Sequence, residues 1–246
     1  MRALLLLALL LLGSCASVPD SPARRVLIFS HTTGFRHDSI EAGKPALVRL
    51  VEAEGAEAVL SEDPAIFDAG LQDLDAIVLL STTTKSDDPA SEWFSGARRE
   101  ALQAFLRSGR GIVGIHAAAD SHYHWPWYGQ MIGGRFARHP SGTPTGEVRI
   151  VDHDHPATRG LPSPVRRSDE WYYYRDHDAG ARLLATFDPT SIGEADRDAR
   201  PIAWAKTFEG GRVFYTGMGH TSESYAEPFF LDHARGGLRW VLRLED

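Results

Sequence analysis

The sequence lacks several features that would assign it to a simple class. Its 246 residues include one cysteine, so no disulfide can form within the chain. The formal net charge is −7 and no basic patch is present, so nucleic acid is not an expected partner. The motifs Gly-x-Ser-x-Gly and His-Glu-x-x-His are both missing. The remaining composition, with 43% hydrophobic residues and six Trp, is typical of a globular protein and not of a disordered one.

A hydrophobic run of membrane-spanning length is also lacking, because the apolar stretch 3–12 contains only ten residues. This stretch follows Arg2 and leads into Leu12-Gly13-Ser14-Cys15, which looks like a bacterial lipobox. We therefore expect cleavage before Cys15 and attachment of lipid to that cysteine. The alternative is a plain secretory signal in which Cys15 is incidental.

The predicted organisation is a lipoprotein signal peptide over 1–14, a lipidated tether over 15–24 and one domain over 25–246. The expected location is the cell envelope, where the lipid on Cys15 anchors the domain to a membrane. Ala16, where an Asp could follow the cysteine, favours the outer membrane if the source is Gram-negative.

Strand-like runs alternate with helical patterns in the first half of the domain. The runs are rich in β-forming residues, and they cover residues 25–30, 57–61, 75–81 and 111–116. Helices are predicted from a capping box at Asp38 and Glu41 to Gly55, and over 90–107. This order predicts an α/β fold in which a parallel sheet has helices on both faces.

The second half of the domain is less regular. Residues 117–145 are rich in Gly, Pro, His and Trp, which favours a long functional loop with a short helix near 128–132. Pro228 suits the first turn of a last helix that extends to residue 244. Further strand-like runs cover residues 146–151, 170–174, 182–187, 202–206 and 212–216.

Several predicted strands end in polar residues, and many of these are histidines. The candidates are His31, Arg36 and His37 after the first strand, Thr83 after the third, His116 after the fourth and His220 after the run 212–216. Ligands of open α/β sheets bind at the carboxyl ends of the strands, so we expect a site at this edge. A single histidine is more often structural, but several histidines at one edge favour a functional site.

His116 follows Gly-Ile and precedes three alanines, which predicts a tight turn after a buried strand with the imidazole at its tip. In hydrolases a turn of this kind displays the nucleophile. Here the tip is a histidine, and the only cysteine lies outside the predicted domain. Acyl transfer that depends on a thiol is therefore excluded.

Two aromatic residues and one further histidine are candidates for substrate binding. Trp125 and Trp127 could stack on a sugar ring, because flat aromatic faces suit pyranoses, or they could pack within a surface loop. His139 lies beside a predicted turn.

Asp169 and Glu170 precede an aromatic run that includes Tyr172, and one of the two could be a general base or a metal ligand. Eleven histidines exceed what packing usually needs, so a divalent metal is a possible cofactor, although no recognised zinc spacing is present. For His153 and His155 we favour a strand end over a metal site.

Several segments together resemble the ThuA-like family, named for trehalose utilisation. They occur in the family's order across about residues 25–243, and they are Thr33-Gly34-Phe35-Arg36-His37-Asp38-Ser39-Ile40, Gly114-Ile115-His116-Ala117-Ala118, Gly133-Gly134-Arg135-Phe136 with His139-Pro140, His155-Pro156-Ala157-Thr158, Asp169-Glu170-Trp171-Tyr172, and Gly211-Arg212-Val213-Phe214-Tyr215-Thr216 with Gly219-His220. The resemblance implies a class I glutamine-amidotransferase-like fold, a flavodoxin-like three-layer sandwich with a mostly parallel central sheet. It also implies that His116 replaces the cysteine nucleophile of that fold, and it links the chain to sugars and 3-keto-sugars.

Two hypotheses of function follow. The first is a carbohydrate-active lyase, hydrolase or isomerase that acts on a sugar or a 3-keto-glycoside by acid–base chemistry, with or without a divalent metal. Its catalytic candidates are His116, Glu170 and His37, and its substrate-binding candidates are His31, Arg36, Thr83, Trp125, Trp127, His139, Tyr172 and His220. The alternative is a lipoprotein that binds carbohydrate without catalysis. Glutamine amidotransferase activity is not expected, and the expected partner is a small sugar.

Overall fold

The computed structural model describes residues 24–68 and 70–246, whose centre is a nine-stranded sheet. Five strands run parallel in one half of this sheet. In spatial order they are β2 (Glu57–Ser61), β1 (Arg25–Phe29), β3 (Ala76–Leu80), β4 (Gly111–Ile115) and β11 (Gly211–Thr216). Strands β1, β3 and β4 are buried along almost their whole length, which explains their continuously apolar sequences.

The other half of the sheet is antiparallel. It continues from β11 through β10 (Arg200–Phe208), β9 (Arg182–Asp188), β6 (Thr145–Ile150) and β7 (Val165–Ser168). A separate two-stranded ribbon pairs β5 (Arg135–Arg138) with β8 (Tyr173–Arg175). The predicted α/β class is confirmed, and the sheet is mixed because short hairpin connections, such as that between β10 and β11, replace helical crossovers in this half.

Helices lie on both faces of the sheet. They are α1 (Ser39–Ala53), α2 (Ala97–Arg107), α3 (Pro126–Ile132) and α4 (Pro228–Val241). Successive side chains of a strand point to opposite faces, so the core forms two clusters. Ile28 packs in one cluster with Leu47 of α1 and Leu238 of α4, whereas Leu27 packs in the other with Leu102 of α2. The described residues therefore form three layers.

The prediction of one long helix over 90–107 is wrong. A short 3-10 turn, Pro89–Ser91, is followed by non-helical residues, and α2 begins only at Ala97. Gly96 has a φ of +53°, a left-handed conformation that interrupts the helix. In the second half, the region predicted as a loop also contains β5, and the sequence does not predict β7.

The capping box predicted at the start of α1 is also wrong. Asp38 occupies the N-cap position, but its backbone is already helical and its side chain makes no capping hydrogen bond. Glu41 instead binds Arg36 at 2.7 Å and Lys44 at 2.9 Å. These two cations hold the carboxylate away from the backbone N–H that a capping box requires.

The predicted signal peptide, the lipid on Cys15 and nearly all of the tether lie outside the described residues, so they stay predictions. Among the helices of residues 24–68 and 70–246, none has both the length and the hydrophobicity that crossing a membrane requires.

Two buried histidines support the fold by binding the backbone of a single residue, Ala157. Nδ1 of His155 accepts from the N–H of Ala157 at 3.1 Å, and Nδ1 of His233 donates to the carbonyl of Ala157 at 2.7 Å. His153 is exposed. These contacts favour the structural interpretation of His155.

Burial lowers the pKa of His233 to about 4, from about 6.5 for an unfolded chain. The neutral form is therefore preferred in the folded chain, and unfolding at mildly acid pH takes up a proton. The contribution of this histidine to stability is complete above pH 6.5 and is lost as the pH falls towards 4. Between pH 7 and pH 4, we expect the free energy of unfolding of the wild type to fall by about 3 kcal/mol more than that of His233→Gln.

Urea titrations at each pH provide the measurement. His153→Gln is the control, and this exposed substitution should keep the wild-type dependence on pH. Parallel pH profiles for His233→Gln and the wild type would contradict the prediction.

Candidate functional site

His116 stands at the tip of the tight turn that follows β4. Its φ of +48° is left-handed, and the three alanines after it are buried. A Cβ at Gly114 would lie 2.5 Å from the side chain of Ile132, so the strand needs glycine just before the turn. The hydroxyl of Tyr215 donates to the carbonyl of His116 at 2.7 Å and fixes the turn. The described structure thus contains the turn that the sequence predicts.

One hydrogen bond orients the His116 ring. Its Nδ1 lies 2.9 Å from the carbonyl oxygen of Gly217, and a carbonyl only accepts, so Nδ1 carries the proton in the neutral ring. This leaves a lone pair on Nε2. That atom lies 3.1 Å from Nδ1 of His220 and 3.4 Å from Oε2 of Glu170.

Four side chains converge here, and we call them the His/Glu cluster: His37, His116, Glu170 and His220. One possible ligand atom from each lies within 4.8 Å of those of the other three. Nδ1 of His220 is 3.2 Å from Oε2 of Glu170. The ring of His37 meets those of His116 and His220 edge to face, with centroids 4.8 and 5.1 Å apart.

Three members of the His/Glu cluster, His116, Glu170 and His220, have the spacing of metal ligands. Lone pairs that face a carboxylate at these distances repel one another unless a proton or a metal cation lies between them. In a tetrahedral site with bonds of about 2.0–2.1 Å, neighbouring ligand atoms are about 3.3 Å apart. The separations of 3.1, 3.2 and 3.4 Å agree with this value. Imidazole and carboxylate ligands suit divalent cations such as Zn²⁺.

Asp169 positions two members of the cluster, Glu170 and His220, by binding their backbone N–H groups. Its carboxylate accepts from the backbone N–H of Gly219 at 2.9 Å and of His220 and Glu170 at 3.0 Å each. The buried guanidinium of Arg167 pairs with the same carboxylate. The sequence leaves Asp169 and Glu170 as alternatives, and the structure places Glu170 in the cluster and Asp169 beneath it.

His139 and Tyr172 border the His/Glu cluster. Nδ1 of His139 lies 3.1 Å from Oε1 of Glu170, the carboxylate oxygen that does not face His116. The ring of Tyr172 is buried against that of His116, with centroids 4.3 Å apart. Both residues therefore help to orient the cluster.

Burial and the close contacts set the charge states of the cluster. Burial, together with repulsion from His116 and His220, lowers the pKa of His37 to about 3. Burial opposes ionisation of Glu170, but the close contacts with His116 and His220 outweigh it and hold the pKa of this carboxyl below its usual value. Burial likewise disfavours charged His220, but its contact with Glu170 raises the pKa of this ring. At neutral pH His37 is thus neutral and Glu170 ionised, the forms in which these groups bind metals.

Three predicted binding residues make their contacts outside the cluster. Arg36 is exposed and pairs with Glu62 and Glu41. Nδ1 of His31 lies 2.7 Å from the carbonyl oxygen of Glu62. Thr83 is buried and donates to the carbonyl of Phe35 at 2.8 Å, so it supports the loop that carries His37.

The structure does not bring the predicted tryptophan pair to the His/Glu cluster. Trp125 is buried, the ring of Trp127 stacks on it with centroids 4.9 Å apart, and the guanidinium of Arg99 lies 5.1 Å from its centroid. It also packs with Phe94 and Tyr128 in the core. Because Trp125 is buried and packed in this way, the structure favours the packing alternative for this residue.

Sequence reasoning missed two residues near the cluster. Phe35 is exposed, and its ring centroid lies 4.8 Å from that of His37. The sequence feature that could have indicated Phe35 is an apolar residue within a polar loop. Asp120 ends the turn that begins at His116. Burial raises the pKa of Asp120 to about 6, although the hydroxyl of Tyr123 donates to its carboxylate.

A cavity of about 620 Å³ lies apart from the cluster, and its lining includes Tyr123, Gln130, Arg135, Asp178, Lys206 and Phe208. None of the four cluster residues lines it. Its cationic groups have protein partners, since Lys206 pairs with Asp178 and Arg135 binds two backbone carbonyls. We therefore locate the candidate site at the cluster, where reactive groups face one another.

Known structures share this fold. A protein described as ThuA-like from Bacteroides uniformis ATCC 8492 has 23% identity and a TM-score of 0.73, with 93% of this chain and 95% of that chain covered. One from Parabacteroides merdae ATCC 43184 has 16% identity and a TM-score of 0.72, with 91% of each chain covered. A β-galactosidase from Rahnella sp. R3 has 18% identity and a TM-score of 0.58 over 91% of this chain, but only 32% of its own length is covered.

A search of curated protein sequences found no match. The family model ThuA, described as trehalose utilisation, matches residues 25–241. That span includes all four residues of the His/Glu cluster and almost the whole domain. The chain belongs to the ThuA family.

Proposed function

We propose that this chain is an enzyme of sugar metabolism that binds a divalent metal in the His/Glu cluster and acts on a keto-sugar such as a 3-keto-glycoside. The convergence of four possible ligand atoms within 4.8 Å carries the proposal. The family description, trehalose utilisation, supports a sugar as the class of substrate.

The chemistry follows from the needs of a keto-sugar. A ketone at C3 acidifies the neighbouring C–H, and removal of that proton leaves an enolate whose oxygen needs nearby positive charge. A bound metal supplies this charge as a Lewis acid. The lone pair of His116 and the carboxylate of Glu170 face the shared centre, so in this proposal both residues are ligands and not the base.

Asp120 is the base in this proposal. It ends the turn that starts at His116, and its carboxylate accepts from the hydroxyl of Tyr123. Burial raises its pKa to about 6, which suits proton transfer near neutral pH. The enolate can then expel the glycosidic oxygen, which takes up the proton held by Asp120, and this is elimination. Alternatively, Asp120 returns the proton to carbon, and this is isomerisation.

The test measures turnover of 3-keto-trehalose by NMR, with the purified full chain before and after chelation. We expect chelation to abolish turnover and added Zn²⁺ or Mn²⁺ to restore it. His116→Asn should lower turnover at least about 100-fold, because it removes Nε2 while Asn tolerates the positive φ at this position.

His153→Asn makes the same change at an exposed histidine and should leave turnover unaltered. Absence of turnover by the metal-loaded wild type would overturn the proposal. Binding of the sugar without chemical change would then support the carbohydrate-binding alternative.

A further inference from the structure

Phe35 is an exposed aromatic residue at the edge of the His/Glu cluster. It is 68% exposed, more than any other large hydrophobic residue in the described part of the chain. Its ring meets His37 edge to face with centroids 4.8 Å apart, and His37 in turn contacts His116. A flat apolar surface therefore lies directly against one of the proposed metal ligands, His37.

The loop around Phe35 is fixed on both sides. The N–H of Thr33 donates to the carbonyl of Thr83 at 3.0 Å, and the hydroxyl of Thr33 donates to the carbonyl of Ser91 at 2.7 Å. The hydroxyl of Thr83 donates to the carbonyl of Phe35 itself. Gly34 packs so closely that a Cβ would lie 2.9 Å from the carbonyl oxygen of Thr84. The backbone thus holds Phe35 outward, and a ligand that used its ring would need little further ordering of the loop.

Aromatic groups also border the other side of the cluster. Tyr172 covers the ring of His116, and Phe136 packs on Tyr172 with centroids 4.3 Å apart. Phe136 is half-buried. The reactive centre thus lies within a row of rings that ends at Phe35, a composition typical of ligand sites with few polar groups and several aromatic ones.

Isolated exposed hydrophobic residues are common and need no ligand, as Leu60 and Val151 illustrate at 50% and 49% exposure. Phe35 differs from these two aliphatic residues because it has a flat ring, a fixed loop and a direct contact with the cluster. Trp125 is buried, so it does not provide the stacking surface that a sugar would use.

We propose that Phe35 is the stacking surface of a substrate subsite, which takes the C–H face of a pyranose ring while the carbonyl of the sugar faces the His/Glu cluster. This inference rests on the proposed function for the direction of the carbonyl. It assigns Phe35 to binding and not to chemistry, because a phenyl ring neither accepts a proton nor binds a metal.

The test compares Phe35→Ala, Phe35→Leu and Phe35→Trp in the full, metal-loaded chain. Phe35→Ala should raise KM for 3-keto-trehalose about 10-fold with little change in kcat. Phe35→Trp should retain the wild-type KM, whereas Phe35→Leu should resemble Phe35→Ala because it is apolar without being flat. Zn²⁺ affinity, measured by calorimetry, should be equal in all variants. Leu60→Ala is the control for removal of an exposed hydrophobic residue.

A second measurement separates this proposal from the proposed function. Saturation-transfer NMR with trehalose should show transfer to the C–H protons of one ring face in the wild type, and this transfer should be lost in Phe35→Ala. If saturation transfer depends on Phe35 but the chain does not turn over 3-keto-trehalose, the proposed function is overturned and the subsite is retained. If the wild type binds neither trehalose nor its 3-keto form, or if Phe35→Ala or Phe35→Leu binds as the wild type does, the subsite is overturned.

Discussion

Replacement of Glu170 by Gln should lower the affinity of the chain for a divalent cation at least about 100-fold. The carboxylate is the only negative group in the His/Glu cluster, and its Oε2 faces both His116 and His220. Gln keeps the size of the side chain but removes the charge. The three remaining imidazoles then lack the anion that favours a cation between them. Calorimetric titration of the full chain with Zn²⁺ and Mn²⁺ gives the affinity.

Glu41→Gln is the matched control, because it makes the same change at an exposed carboxylate that pairs with Arg36 and Lys44. It should keep the wild-type affinity and stoichiometry. Equal affinities for wild type and Glu170→Gln would show that Glu170 is not a ligand. A wild type without stoichiometric binding would remove the metal from the proposal.

The second large effect that we expect is a loss of folding stability when the buried carboxylate of Asp169 is replaced. Asp169→Asn should lower the free energy of unfolding by about 3 kcal/mol. The buried guanidinium of Arg167 would lose one of its two carboxylate partners and keep only Glu227. An amide in place of the carboxylate would also bind the backbone N–H groups of Gly219 and His220 more weakly. Urea unfolding followed by circular dichroism provides the measurement.

Glu57→Gln breaks an exposed ion pair with Arg25 and should cost only about 0–1 kcal/mol. A similarly small loss for Asp169→Asn would mean that the buried pair is not required for the fold. Because Asp169 also holds Glu170 and His220, its variant should bind Zn²⁺ more weakly than Glu57→Gln does.

The parallel half of the sheet could be predicted from the sequence, because its strands are continuously apolar and alternate with helical patterns. The antiparallel half could not be ordered in the same way. Strand β9 pairs with both β10 and β6, and β6 lies far earlier in the chain. Such pairings depend on long-range contacts, which local periodicity does not encode.

The candidate site could be predicted in outline for a similar reason. His37, His116 and His220 follow strands that end at one edge of the sheet, so topology alone brings them together. The choice between Asp169 and Glu170 could not be made, because neighbours in sequence can face opposite environments. Only tertiary contacts show that Arg167 and the N–H of Gly219 engage Asp169, while the histidines engage Glu170.

Whether an aromatic residue is buried or exposed also could not be predicted from the sequence. Trp125 and Phe35 both lie in loops rich in polar residues, and composition does not distinguish them. Trp125 is covered because Arg99 of α2 and Trp127 of α3 pack on its ring. Phe35 stays uncovered because hydrogen bonds from the neighbouring loop fix its backbone.

The four residues of the His/Glu cluster come from segments that are far apart in the chain, and each segment is placed by a different part of the fold. These ligands are close together only in the folded chain. A cation bound by them would therefore be linked to folding by mass action, and it would add about 2.7 kcal/mol to the free energy of unfolding at a concentration 100 times its Kd. On this view the supply of the metal would determine what fraction of the chains is folded, as well as how fast they work.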